Sequence, residues 1–367
     1  FKQKTAYEIG VRLVGSEMCI RDRYMSNQPP IEVPQGAIRL NTDSQKLEFF
    51  AQDRWYEMAT AEASGIGNRG FRVSGTGAGA TLIETFNITT LGNSHDTGFD
   101  LSTSRGAFGC SASRTRAIIA GGNAPGVSRS NDIQYFEMTS LSNTIDFGDL
   151  TADMSESGAH SNNVRFVVTG ASSNANNVIN FLTVASTGSA QDFGDVPNTV
   201  SSVAGCGSPT RAIWGTNISG SSPYPALNNI EFVTIASTGN SLDFGDLTVA
   251  RYSGGAGSNN TRGLFFMGNL SPGHTNTIDF VTIASTGNAQ DFGDSSMSDT
   301  GGPTQGAGVA ASPNRIVFFG GYRSGTDRTT EMQFVNPTHK GNSTRFGDLE
   351  TAQNSDGNGL SSSHGGL

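Results

Sequence analysis

The stretch VTIASTGNAQDFGDSS, residues 281–296, joins a β-branched apolar run to a second short run through a break that contains glycine. Just before it, TIDFVTIA places Ile278, Phe280 and Thr282 on one face of a strand and Asp279, Val281 and Ile283 on the other. Side chains alternate across a strand, so apolar residues on both faces predict a sheet sandwiched between neighbours. Gly287 in STGN supplies the positive φ that a tight hairpin needs. The DFGD that follows reads as a turn and an outer strand.

The same arrangement recurs along the chain. An arginine precedes an apolar run at Arg69, Arg116, Arg165, Arg211, Arg262 and Arg315, with steps of 47, 49, 46, 51 and 53 residues. Each run is followed by a second one, such as IQYFEMTS or IEFVTIAS. A third part carries Phe-Gly-Asp at Phe147-Gly148-Asp149, Phe193-Gly194-Asp195, Phe244-Gly245-Asp246, Phe292-Gly293-Asp294 and Phe346-Gly347-Asp348, with a degraded form around Phe99. The fourth is a tract of small residues, such as GAFGCSAS or SGGAGSNN. Each part is short, β-branched or aromatic, and bounded by Gly, Ser, Asn and Asp, so each reads as a strand. Four antiparallel strands repeated about every fifty residues describe the blades of a β-propeller. The first unit begins almost directly with Arg69, while the last is followed by NSDGNGLSSS, an inner strand with no blade of its own. That strand is expected to complete the first blade and hide edge strands. The expected fold is all-β: a six-bladed propeller of four-stranded blades over residues 63–367, preceded by a small β-hairpin module over residues 25–62.

Residues 63–367 resemble the kelch family. Gly121-Gly122 and Gly320-Gly321 match its Gly-Gly doublet, Phe232 and Phe280 sit near its aromatic, and the Phe of Phe-Gly-Asp stands where it has Trp. The resemblance makes the small-residue tract the innermost strand. The module has AIRL and KLEFF as a hairpin around NTDSQ, then RWYEM. It is similar to the Gly-x-Ile-Arg-x-Asn-Thr-Asp unit of phage tail-fibre and other virion proteins, through Gly36, Ile38, Arg39, Asn41, Thr42 and Asp43, with Trp55 near its end. The combination resembles fibre-type proteins of tailed phages. It implies a virion location, contact with other virion proteins, and recognition of a host surface glycan or protein. Three strands bury too little to stand alone, so a homotrimer is expected.

Residues 2–23 resemble a translated sequencing adapter rather than protein. Lys2 to Ile9 and Arg12 to Arg23 back-translate into two adapter strings separated by an index-sized gap, so residues 1–24 are expected to be a non-native disordered tail and Met25 the start. Without residues 2–23 the net charge moves from −9 to −11. An acidic chain with no Lys/Arg cluster argues against nucleic-acid binding, and no apolar run reaches membrane-spanning length. Cys110 and Cys206 lie in small-residue tracts and read as small buried residues.

Asp-Phe-Gly also belongs to the protein-kinase signature, but the strand lysine and catalytic loop are missing and the tripeptide recurs at Asp146, Asp192, Asp243 and Asp291. A catalytic metal ligand has no reason to occur once per repeat. SLDFGDLT, residues 241–248, resembles the Asp-box of sialidase-type propellers with slipped spacing. Asp291 with Asp294 reads as turn capping before Ca²⁺ binding. GTGAGA, residues 75–80, lacks the Rossmann context, and the five histidines have no pair at ligand spacing. No catalytic residue, metal or cofactor is expected. The loops between the first two parts vary from repeat to repeat, and such loops on a rigid scaffold are where recognition usually lives. Tyr224, His274, Tyr322 and Arg323 are the candidate ligand-binding residues. A glycan-cleaving propeller and a purely structural spacer are the alternatives.

Overall fold

The computed structural model describes residues 33–41, 46–57, 68–73, 81–172, 177–220, 223–270, 272–297, 306–322, 328–351 and 358–367. The tail at 1–24, Thr42, Asp43, residues 75–80 and Arg323 lie outside them. All regular structure among the described residues is strand, and no helix is long and apolar enough to cross a membrane. The chain divides into two compact units, Phe1–Ser64 and Gly65–Leu367.

In the first unit β1 (Ile38–Asn41), β2 (Lys46–Ala51) and β3 (Arg54–Glu57) form an antiparallel sheet in that order. On one face Arg39 bonds Glu48 at 2.7 Å and lies 4.1 Å over the Trp55 ring, while Asn41 donates to the same carboxylate. Arg39, Asn41 and Trp55 are among the residues that carry the module's resemblance. The other face leaves Ile38, Leu40 and Phe49 exposed.

The second unit is built from four-strand meanders. β4 (Arg69–Val73), β5 (Leu82–Asn87) and β6 (His95–Asp100) open it. There follow β7 (Gly109–Ala112), β8 (Arg116–Ala120), β9 (Ser130–Glu137), β10 (Ile145–Ser161), β11 (Arg165–Ser172), β12 (Val178–Thr183) and β13 (Gln191–Asp195), which form one seven-stranded sheet in chain order. The 17-residue β10 pairs with β9 at its start and with β11 at its end, so two repeats share a strand. The linker LTADMSES lacks Pro and Gly and continues the strand, with a bulge at Glu156 (φ +51°), which the repeat pattern by itself did not reveal. Next come β14 (Val200–Ser201), β15 (Ala204–Gly207), β16 (Arg211–Gly215), β17 (Ile218–Ser219), β18 (Asn229–Thr234) and β19 (Leu242–Asp246). β20 (Gly255–Ser258), β21 (Arg262–Asn269), β22 (His274–Thr282) and β23 (Gln290–Asp294) make a sheet, as do β24 (Gly308–Ala311), β25 (Ile316–Phe319), β26 (Glu331–Val335) and β27 (Thr344–Asp348). Finally β28 (Asn358–Ser361) pairs antiparallel with β4, giving the sheet β28-β4-β5-β6. The architecture is all-β and β-propeller-like.

Among the described residues six apolar clusters form the core, each shared by two meanders. One joins Leu264, Ile278 and Phe292 to Val309, Ile316 and Val335, and another joins Phe86 and Ile88 to Val317, Phe319 and Met332. Apolar residues on both strand faces are therefore needed, as TIDFVTIA suggested: Ile278 and Phe280 on one face and Val281 and Ile283 on the other are all buried.

The repeated residues act between meanders. Nη1 of Arg116, Arg165, Arg211 and Arg262 donates to a backbone carbonyl of the next repeat, at Val184, Ile235, Ile283 and Pro337, and that of Arg315 donates to Ile88 of the first repeat, at 2.8–3.0 Å. The same guanidiniums lie 4.5–4.9 Å over Tyr135, Phe181, Phe232, Phe280 and Phe334. Those rings meet the Phe of Phe-Gly-Asp edge-on, as in Phe232 against Phe244 at 5.6 Å. Each such ring pair adds about 0.5–1.5 kcal/mol beyond its burial.

Phe-Gly-Asp is also the outer half of a backbone clasp. The Phe244 carbonyl accepts from Gly287 N at 2.6 Å, and Asp246 N donates to Asn288 at 3.1 Å. The first aspartate caps its own turn, as Asp243 does for Gly245 N at 3.1 Å. So the opening stretch carries both halves: Gly287-Asn288 receives the preceding repeat, and Phe292-Gly293-Asp294 reaches Gly341-Asn342 of the next. The glycine is required by proximity. At Gly194, with φ +147°, a Cβ would lie 2.3 Å from the Gly239 carbonyl oxygen. Gly194→Ala is expected to destabilise by about 2–3 kcal/mol, read as a lowered urea midpoint at unchanged slope.

Candidate functional site

Antiparallel alternation puts the loops β8–β9, β11–β12, β16–β18, β21–β22 and β25–β26 at one end of the sheets, together with the linkers between repeats. The Arg-preceding turns and the STGN turns lie at the other end. Tyr224 stands in the β16–β18 loop at φ +57° and is 56% exposed. His274 opens β22, half-buried, with its Nδ1 enclosed and without a hydrogen-bond partner. Tyr322 is half-buried beside an isolated bridge to Arg328. The three come from different sheets, and among the described residues no hydrogen bond or ring contact joins them. Phe147, Phe193, Phe244, Phe292 and Phe346 are buried in the core, in keeping with a structural role.

At the inner edges of the sheets, residues of β7, β10, β15, β20, β24 and β28 line one cavity of about 40 Å³. That volume has room for about two or three waters. The chain beyond β28 enters it, which the spacing of histidines gave no means to foresee. His364 meets His160 with ring centroids 5.3 Å apart, although 204 residues separate them in sequence. Nε2 of His364 donates to the Ala112 carbonyl at 2.6 Å, and its Nδ1 accepts from Gly366 N at 3.1 Å. Nε2 of His160 donates to the Ser208 carbonyl at 3.1 Å. The acceptor role of Nδ1 keeps the His364 ring neutral, and burial disfavours a charge on either ring. Burial, with the neighbouring ring adding to it for His160, pulls His160 down to about 3; burial pulls His364 down to about 4.

Ser111 Oγ lies 3.5 Å from His364 Nε2, but that nitrogen already gives its proton to Ala112 and cannot act as a base toward the hydroxyl. The two thiols also line the cavity. Burial pushes Cys206 up to about 12 and Cys110 well above the usual thiol range, so neither is a ready thiolate. Cys206 is buried; Cys110 keeps partial exposure, into the cavity it lines.

Near the loop end lie three ion pairs, two of them buried and the third with a partly exposed Asp132. Arg72 bonds Glu84 at 3.0 Å, Arg251 bonds Asp279 at 2.8 Å, and Arg105 pairs with Asp132. Arg251 and Arg105 come from linkers and anchor to the third strand of the following meander, so they hold linkers in place. No group of three or more His, Cys, Asp or Glu at metal-binding distance occurs among the described residues. Comparison with protein-family models and with curated proteins gives no match for this chain.

Proposed function

We propose that the protein is a tail-fibre-type virion component, a six-bladed propeller that binds a glycan or protein of the host surface through the loops at one end of its blades. Ring closure by the C-terminal strand is supported by the β28–β4 pairing, by the cluster joining the last meander to the first, and by the Arg315 bond to Ile88. The observation that carries the binding reading is the contrast between the clasps and the loops of each repeat. The inter-repeat clasps hardly change, while the loops differ in length and content and leave Tyr224 exposed. An exposed ring offers an apolar face to a sugar or peptide and a hydroxyl to its rim. The acid-free lining of the inner cavity among the described residues, and its small volume, favour binding over glycan cleavage, which needs a carboxylate pair around the bond.

Purified protein is expected to bind host cells or their surface polysaccharide without turnover. Replacing Tyr224 and Tyr322 by alanine should lower binding at least tenfold with an unchanged melting temperature. Unchanged binding would leave a structural spacer, and release of reducing sugar would indicate an enzyme. The exposed Ile38, Leu40 and Phe49 face supports trimerisation through the module, and light scattering at the monomer mass would count against it.

A further inference from the structure

Each repeat places one polar side chain at the same buried position of its third strand: Glu84, Gln134, Asn180, Glu231, Asp279 and Gln333. The residue that follows Phe-Gly-Asp by two, in the linker before that repeat, commonly supplies the donors. Thr151 gives its N–H and hydroxyl to Asn180, Thr248 gives both to Asp279, Ser296 gives its hydroxyl to Gln333, and the amides of Glu350 and Thr351 reach Glu84. Before Glu231 that residue is Pro197, which has neither an N–H nor a hydroxyl. Glu84 and Asp279 are each also balanced by one arginine, Arg72 and Arg251. Among the described residues Glu231 keeps only Asn229 Nδ2 at 3.3 Å and Ser241 Oγ at 3.0 Å.

A cavity of about 10 Å³ lies where the donors are missing, between Pro197, Glu231, Asn217 and Asn229. Asn217 is 2% exposed, and its Nδ2 donates to the Asn229 carbonyl, which fixes the amide orientation and leaves Oδ1 buried with no partner. The open groups of this site are therefore acceptors. Val196, Val200 and Trp214 wall it, and the β14–β17 pair joins the linker to the loop that carries Asn217. An enclosed carboxylate needs a positive charge or a proton, and burial already raises the Glu231 carboxyl above the usual carboxylate range. The space admits a single atom.

We propose that this cavity binds one small monovalent metal cation of the sodium class, held by the Glu231 carboxylate and Asn217 Oδ1. Charge balance selects the monovalent ion, because one guanidinium serves one carboxylate at the two charged equivalents. The ion ties the linker at 196–203 to the root of the loop that presents Tyr224.

The test is the melting temperature of the full chain at neutral pH in sodium, potassium, calcium or choline chloride at equal ionic strength. Sodium should raise it by roughly 2–4 °C over choline. The difference should vanish in Glu231→Gln and in Pro197→Thr, which restores the donors that Thr248 supplies to Asp279. Equal melting in sodium and choline overturns the proposal in favour of a protonated Glu231. A larger effect of calcium than of sodium, or a sodium effect that survives Pro197→Thr, also overturns it.

Discussion

Lowering the pH from about 7.5 to about 4.5 is expected to cost the protein on the order of 5 kcal/mol through His160 and His364 alone. Their folded values, about 3 and about 4, lie below the ordinary value of 6.5. A depressed histidine is protonated in the unfolded chain before it is in the folded one. The unfolded state therefore binds more protons below 6.5, and stability is complete above that pH and falls as pH drops toward the folded values. The structural cause is plain: Nδ1 of His364 must remain an acceptor for Gly366 N, and the two rings face each other in a lining without a carboxylate among the described residues. Urea denaturation across this pH range measures the slope. The double variant His160→Gln/His364→Gln should be less stable at neutral pH but lose more than half of the slope. A slope unchanged by the double variant would refute the assignment.

Asp279→Ala is expected to destabilise by about 3–5 kcal/mol, because it leaves the Arg251 guanidinium buried without its counter-charge. Both side chains of this pair are fully buried, and Thr248 loses its acceptor as well. The paired replacement Arg251→Met/Asp279→Leu should recover most of the loss, since it removes both charges and retains apolar volume. Separating Arg345 from Asp348, a pair that is 61% and 36% exposed, should change stability by no more than about 0.5 kcal/mol. Chemical denaturation of the three variants decides both points. A loss at Asp279 as small as at Asp348 would mean that water reaches the Arg251 site.

Much of the scaffold could be read directly. The alternation in TIDFVTIA, the spacing of the six arginines and the recurrence of Phe-Gly-Asp all report local requirements, and each meander meets them again. Repetition made one chain its own alignment, so that Asp291-Phe292-Gly293 could be assigned to architecture. Its partners were less legible. Gly287 was read as a hairpin residue, yet its N–H also bonds the Phe244 carbonyl of the preceding repeat. The arginines mark the start of each apolar run in the sequence, yet their guanidiniums stack on their own sheet's aromatic and reach across to the next repeat's backbone. For the loops, residue type and variation between repeats mark a candidate set, and the structure adds that Tyr224 is exposed while Tyr322 is half-buried.

Strand periodicity and repeat length determined, from the sequence alone, that this protein is a series of four-strand meanders, because burial on both faces and glycine at turns are properties of neighbouring residues. Only the tertiary structure decided what lies where distant segments meet. The His160–His364 contact, the Arg251–Asp279 pair and the space between Pro197 and Glu231 depend on segments brought together by packing. No local pattern records them: their energies arise from burial and lost partners, which exist only once the sheets have met.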